Sequence, residues 1–135
     1  MYSDTQLGAA HLVAAALGRA LGIRVVIANV PTACTDGNTI YLPPLPVTVS
    51  TQLIAMLWGF IHHEAGHCRH SDFSVLQDLA SEQDALLLNL ARVFEDIRME
   101  RAHIALYPGA HRILCELVEV RVKIGFFNPP APEHY

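Results

Sequence analysis

The chain carries little charge and has no excess of basic residues. Only 16% of its 135 residues are charged, and 9 Lys and Arg against 13 Asp and Glu give a formal net charge of −4. Nucleic-acid-binding proteins present a basic surface, so we expect no nucleic-acid partner. The hydrophobic share of 52% is typical of a packed globular protein, and the length suits one domain.

Paired cysteines and membrane-spanning runs are also lacking. The three cysteines form no CxxC pair, and their odd number favours reduced thiols in a cytoplasmic protein. The apolar stretch Leu7–Leu21 is too short to cross a bilayer and is interrupted by His11 and Arg19. It has no basic leader, so we expect neither export nor a membrane span.

Local patterns predict an α+β domain over residues 1–124 and a proline-rich tail over residues 125–135. The predicted helices cover about Asp4–Leu21, Ser50–His70, Val75–Leu106 with an interruption near Ser81, and Ala110–Lys123. Strands are predicted at Ile23–Val30 and Thr39–Leu42, with an Asp36-Gly37 turn before the second. Prolines on both sides of the second strand, which comprises Thr39, Ile40, Tyr41 and Leu42, predict an edge position in a small sheet.

The segment 63–67 has the sequence HEAGH and lies within one predicted helix. His63 and His67 are four residues apart, so they share a helix face and can hold one metal ion. Glu64 lies beside them, where it can accept a proton from a metal-activated water. This is the HExxH arrangement of zinc-dependent peptidases, and it predicts one Zn²⁺ ion. Gly66 has no chemistry of its own and predicts close packing against this helix.

A catalytic zinc usually has a third protein ligand. On the predicted helix through residues 86–106, one stripe of Leu88, Ala91, Glu95, Met99 and Ala102 is apolar apart from its glutamate. An unpaired buried carboxylate is costly, and a metal ion would account for Glu95. Alternatively, Glu95 forms a salt bridge with Arg98. Asp96, Asp72 and His70 are further candidates for the third ligand.

The HHEAGH segment at 62–67, followed by LARVFEDIRME at 90–100, resembles the gluzincin metallopeptidases in their minimal single-domain form. More narrowly, it resembles the N-terminal part of bacterial and phage proteins that also carry a von Willebrand A domain and are related to the cobaltochelatase T subunit. The resemblance covers about residues 35–112. It implies a zincin-like fold, zinc held by His63, His67 and Glu95, and Glu64 as the general base of peptide hydrolysis.

The same resemblance implies further roles. Gluzincins bind extended substrates along an edge strand, a place that Thr39–Leu42 takes in the order of elements. They often carry an Asp four residues after the ligand Glu to orient a histidine. Met99 stands there, which leaves that role to Asp96 or Glu100. The resemblance also makes a missing von Willebrand A domain a candidate partner. Independently of the resemblance, His103, Tyr107 and His111 are candidate donors to the transition state, and the sequence does not choose among them.

Two other hypotheses concern the same motif. The chain could be a zinc-binding scaffold without turnover that serves a larger assembly, or a helical interaction protein in which HExxH is accidental. Intact Glu64 favours catalysis, because a purely structural zinc site needs no free carboxylate beside it. The tail after Gly125 suggests autoinhibition by folding back over the cleft, with a disordered linker as the alternative.

Overall fold

A computed structural model describes residue 16, residues 23–44 and residues 50–125, and its architecture is α+β as predicted. The elements of these residues are β1 Arg24–Ile27, β2 Cys34–Thr35, β3 Thr39–Leu42, α1 Thr51–His70, α2 Phe73–Ser81, α3 Ala85–Leu106 and α4 Ala110–Lys123. The predicted first helix Asp4–Leu21 and the tail beyond Gly125 lie outside the described residues, apart from residue 16.

The three strands form one mixed sheet in the order β1-β3-β2. β3 pairs in parallel with β1 and antiparallel with β2, so the predicted edge position of Thr39–Leu42 is wrong. The prolines mislead because they lie outside the strand and remove no donor from it. The ladder extends to the last residue of β3, whose carbonyl accepts a hydrogen bond from the Ala28 N–H at 2.9 Å.

The strands at the edges of the sheet are β1 and β2, and β2, which has two residues, was not predicted. The predicted turn connects β2 to β3: Asp36 Oδ1 accepts hydrogen bonds from the backbone N–H groups of Asn38 and Thr39 at 2.9 and 2.8 Å. Gly37 adopts φ 98°, a conformation that favours glycine. An Asx-stabilised turn therefore brings β2 back along β3.

The sheet packs on α1, and α4 packs on another side of that helix. Ile40 and Leu42 of β3 and Ile61 of α1 are almost fully buried in a shared core. At the contact with α4, a Cβ added to Gly59 would lie 2.4 Å from the Cβ of Leu117. This close approach holds α1, which carries the HExxH segment, between the sheet and α4.

The predicted interruption near Ser81 is confirmed, since residues 82–84 separate α2 from α3 and Gln83 has φ 58°. α2 begins two residues before the predicted Val75, because Asp72 caps it by accepting a hydrogen bond from Ser74 N. Asp84 caps α3 in the same way through Leu87 N. The short break lets α2 and α3 fold back on each other beside the HExxH helix.

The second half of α3 packs against α1. Met99 is fully buried, and a Cβ added to Gly66 would lie 2.2 Å from its sulfur, which confirms the close packing predicted at this glycine. The first half of α3 differs, since Leu86 and Phe94 are 70% and 67% exposed. No helix among the described residues is both long and apolar enough to cross a bilayer.

Candidate metal centre

One face of α1 and one face of α3 bring two imidazoles and a carboxylate together. The Nε2 atoms of His63 and His67 are 3.2 Å apart. Asp96 Oδ1 lies 3.0 Å from His67 Nε2 and 3.7 Å from His63 Nε2. These three residues form the one group of possible metal ligands found among the described part of the chain.

These separations fit a tetrahedral zinc site. Zinc binds histidine nitrogen and carboxylate oxygen at about 2.0–2.2 Å, so two ligand atoms of a tetrahedron lie about 3.3 Å apart. The three measured separations bracket that value. Three protein ligands leave one tetrahedral position for water or substrate, as in a catalytic zinc site.

The far side of each imidazole has its own hydrogen-bond partner. His63 Nδ1 lies 2.8 Å from Glu100 Oε1, and His67 Nδ1 lies 2.8 Å from Ser71 Oγ. A carboxylate can only accept, so His63 donates from Nδ1. Ser71 donates its hydroxyl proton to Glu95 at 2.6 Å, so it accepts from His67 Nδ1. With the proton of each ring on Nδ1, the Nε2 lone pairs of His63 and His67 face the space beside Asp96.

Glu95, which sequence reasoning favoured as the third ligand, does not belong to this group. Its carboxylate receives hydrogen bonds from Arg98 Nε and a terminal nitrogen of Arg98, each at 2.7 Å. The Arg98 hydrogen bonds, against the opposing effect of burial, lower the pKa of Glu95 to about 2. The geometry thus favours Asp96 over Glu95, and Glu95 contacts the site through Ser71.

The other candidate ligands lie apart from this group. Asp72 caps α2 and accepts hydrogen bonds from the N–H and the hydroxyl of Ser74. The backbone carbonyl of His70 accepts a hydrogen bond from Arg98. The imidazole of His70 packs edge-on against the ring of His103. Arg98 forms the salt bridge with Glu95 that was the alternative prediction, and its hydrogen bond to His70 also ties the end of α1 to α3.

Glu64 is buried beside the two imidazoles, with 8% of its surface exposed. Burial raises the pKa of this carboxyl and Asp96 adds to the rise, while His63 and His67 oppose it. Burial opposes protonation of His63, but its hydrogen bond to Glu100 and the neighbouring carboxylates of Glu64 and Asp96 raise its pKa. The pKa values of Glu64 and His63 therefore depend on each other's charge and on the charge of Asp96.

A second group of histidines lies on another side of α1. His62 Nδ1 is 3.2 Å from His103 Nε2, and Tyr107 and His70 pack against the His103 ring. His103 is 2% exposed, and its Nδ1 has no hydrogen-bond partner in the part of the chain that the structure describes. Burial, together with the charges of His62, His70 and Arg69, lowers the pKa of His103 to about 4.

This second group contains two of the residues considered as transition-state donors. Neither His103 nor Tyr107 lines the cavity beside His67 and Asp96. His111, the third such residue, is exposed on α4 and lies 3.7 Å from the Cys115 sulfur. The expected donor role therefore has no geometric support at any of the three.

A cavity of about 460 Å³ opens beside the metal-binding group, between β2 and the helices α1, α2 and α3. Its lining comprises Cys34, Thr35, Glu64, His67, Phe73, Leu76, Gln77, Ala80, Arg92, Glu95 and Asp96. Sequence reasoning missed the roles of Ser71 and of the β2 residues here. A usable indication for Ser71 was its place four residues after His67, which is one helical turn.

Comparison of the chain with protein-family models, with curated proteins and with solved structures gave no match. The gluzincin resemblance and the implied zincin-like fold therefore stay predictions. The structure itself supports a more general statement. His63, His67 and Asp96 form a partly buried group that could hold a metal ion.

Proposed function

We propose that this protein is a zinc-dependent peptidase whose metal is held by His63, His67 and Asp96. The observation that carries the proposal is the convergence of the two Nε2 atoms with Asp96 Oδ1, beside the buried carboxylate of Glu64. Two imidazoles and a carboxylate suit zinc, and three ligands are typical of catalytic sites. Glu100 and Ser71 support the choice, since ligand histidines usually donate their second N–H to such groups.

Zinc, when bound, would supply Lewis-acid polarisation of a carbonyl and activation of a water at neutral pH. Glu64 accepts the proton of the attacking water and passes it to the amine that leaves. Its raised pKa makes the protonated form accessible for the second transfer. Glu100 and Ser71 hold His63 and His67 in their Nδ1-protonated forms throughout.

The exposed edge of β2 offers a place for an extended substrate. The carbonyls of Asn38, just before β3, and of Leu42 in β3 accept hydrogen bonds from the β1 side, while the Asp36 N–H donates to the Thr39 carbonyl on the β2 side. Backbone groups alternate in direction along strands, so the N–H and C=O of Thr35 point away from β3. They make no hydrogen bond with any described residue. A peptide pairing with Thr35 would lie along the cavity that contains Glu64 and His67.

The test compares wild type with Glu64→Gln after zinc loading. Peptide cleavage should fall by at least about a hundredfold in the variant, since it lacks the base. Zinc content by mass spectrometry should stay near one ion per chain, since Glu64 is not in the ligand group. Glu82→Gln, at an exposed residue between α2 and α3, is the matched control and should cleave normally. Equal cleavage by wild type and Glu64→Gln would refute the proposal.

A zinc-binding scaffold without turnover is the second candidate, and the exposed apolar face of α3 favours it. Leu86, Leu90, Val93, Phe94 and Ile97 form this face, and such faces often bind other proteins. A cytoplasmic assembly with a von Willebrand A protein would suit this role. Stoichiometric zinc with no cleavage by wild type, across a diverse peptide library, would favour the scaffold over the peptidase.

A further inference from the structure

Among the described residues, Arg92 is the one arginine that lines the cavity beside the metal-binding group. Arg92 of α3 lines it together with three acidic residues, Glu64, Glu95 and Asp96. Arg92 lies one helical turn before Asp96, and helical side chains lean toward the N-terminus. Arg92 therefore lies nearer than Asp96 to the N-terminal end of α3, and residues of α2 line the same cavity.

None of the three acids neutralises Arg92. Glu95 is occupied by Arg98, Asp96 faces the two imidazoles, and no ion pair joins Arg92 to a carboxylate of the described residues. Arg98, six residues later, shows the contrast because both Glu95 oxygens accept its hydrogen bonds. The guanidinium of Arg92 is thus a cation available to a ligand.

The neighbouring wall is apolar. Phe73, Leu76 and Ala80 of α2 line the same cavity as Arg92. Water is partly excluded beside such a wall, which strengthens a charge-assisted hydrogen bond. A guanidinium can bind a carboxylate through two parallel hydrogen bonds, whereas it repels lysine and arginine side chains.

We propose that Arg92 binds a carboxylate of the substrate, within one residue or two of the bond that is cut. The inference rests on the proposed peptidase function and extends it to substrate class. The cavity of about 460 Å³ borders both His67 and Arg92, so a peptide at the metal-binding group places a neighbouring side chain or chain end beside the guanidinium. The carboxylate belongs either to an acidic side chain or to the free C-terminus.

Peptide binding tests this without requiring turnover. Fluorescent peptides that differ at a single position as Glu, Gln or Lys, each with a free or amidated C-terminus, are titrated against zinc-loaded Glu64→Gln. We expect the carboxylate-bearing peptide to bind about five- to tenfold more tightly than its neutral counterpart. Arg92→Ala in the same background should abolish that ratio, and Arg92→Glu should favour the Lys peptide. Arg101→Ala, at an exposed arginine of the same helix, is the matched control and should keep the ratio.

The two peptide features separate the sources of the carboxylate. If Glu peptides bind more tightly than Gln peptides, Arg92 binds an acidic side chain. If peptides with a free C-terminus bind more tightly than amidated ones, Arg92 binds the carboxylate at the chain end. An unchanged ratio in Arg92→Ala, or no binding of any of these peptides at millimolar concentration, overturns the inference. If the preference for a carboxylate depends on Arg92 but wild type cleaves no peptide, the proposed peptidase function is refuted, whereas the proposed carboxylate-binding role of Arg92 is retained.

Discussion

Two groups of histidines share α1, and their surroundings differ. His63 and His67 have carboxylate or hydroxyl partners on both sides of each ring, from Asp96, Glu100 and Ser71. His62 contacts His103, whose ring also packs against His70 and Tyr107, and His103 Nδ1 has no hydrogen-bond partner among the described residues. Both groups come from the same two helices, so helix geometry alone does not distinguish them.

The difference lies in where negative charge is placed. Carboxylates beside His63 raise its pKa despite burial, whereas burial and nearby positive charges lower the pKa of His103 to about 4. A cation is favoured in the first environment and disfavoured in the second. Histidine density therefore does not indicate a metal site by itself, whereas histidine beside oriented carboxylates does.

The largest expected effect separates the two groups by metal affinity. His67→Ala removes one of three ligands, and we expect zinc affinity to fall by at least about a thousandfold. His62→Ala, five residues earlier, removes an imidazole of the other group and should change affinity less than about threefold. Competition with a chromogenic chelator measures both. Similar losses in the two variants would show that both groups take part in binding the metal.

The second expected effect concerns the two adjacent carboxylates of α3. Asp96→Asn should weaken zinc binding by about a hundredfold, because it removes the charged ligand beside both imidazoles. Glu95→Gln should weaken it by about tenfold or less, since Glu95 contacts the site through Ser71. The same chelator competition provides the values. A larger loss in Glu95→Gln would restore the original prediction of Glu95 as ligand.

A third, smaller effect tests what the carboxylate behind an imidazole contributes. Glu100→Gln keeps a hydrogen-bond acceptor near His63 Nδ1 but removes the charge. Zinc affinity should fall by about tenfold, at the lower end of such effects. Glu116→Gln on α4, at an exposed residue, is the matched control. Unchanged affinity in Glu100→Gln would mean that the hydrogen bond alone orients His63.

The HExxH helix was predictable because its evidence is local. His63, Glu64 and His67 occupy known positions on one helix, and its start follows from the Ser50 cap. The evidence for the third ligand is not local, because this residue lies on a different helix, α3. Adjacent residues of a helix point about 100° apart, so choosing between Glu95 and Asp96 requires the rotation of α3.

Apolar periodicity did not supply that rotation. The large side chains Leu86, Val93 and Phe94 of α3 are exposed, so the helix has apolar residues on a face that does not pack on α1. The stripe containing Glu95 does contact α1 at Met99, but Asp96 borders the same contact, and the sequence pattern did not decide which of the two adjacent carboxylates faces the imidazoles. The edge-strand prediction failed for a related reason, since the two-residue β2 carries no periodic pattern and is formed only by pairing with β3.

The smallest expected effect tests the second group through the pH dependence of stability. The unfolded chain binds a proton at histidine near pH 6.5, whereas His103 in the fold has a pKa of about 4. As the pH falls from about 6.5 to about 4, the unfolded state is protonated first, so this contribution to stability is lost. Between pH 7 and pH 5 the loss should be about 1–2 kcal/mol.

His103→Phe removes the titrating imidazole but keeps an aromatic ring. Between pH 7 and pH 5, the free energy of unfolding of this variant should therefore fall by about 1–2 kcal/mol less than that of wild type. Urea unfolding at both pH values, with excess chelator to remove the metal contribution, measures the difference. His111→Phe changes an exposed histidine on α4 and should keep the wild-type dependence. If His103→Phe also kept it, the imidazole of His103 would be able to take up a proton inside the fold. The contrast between the two histidine groups would then lie in metal-binding geometry alone.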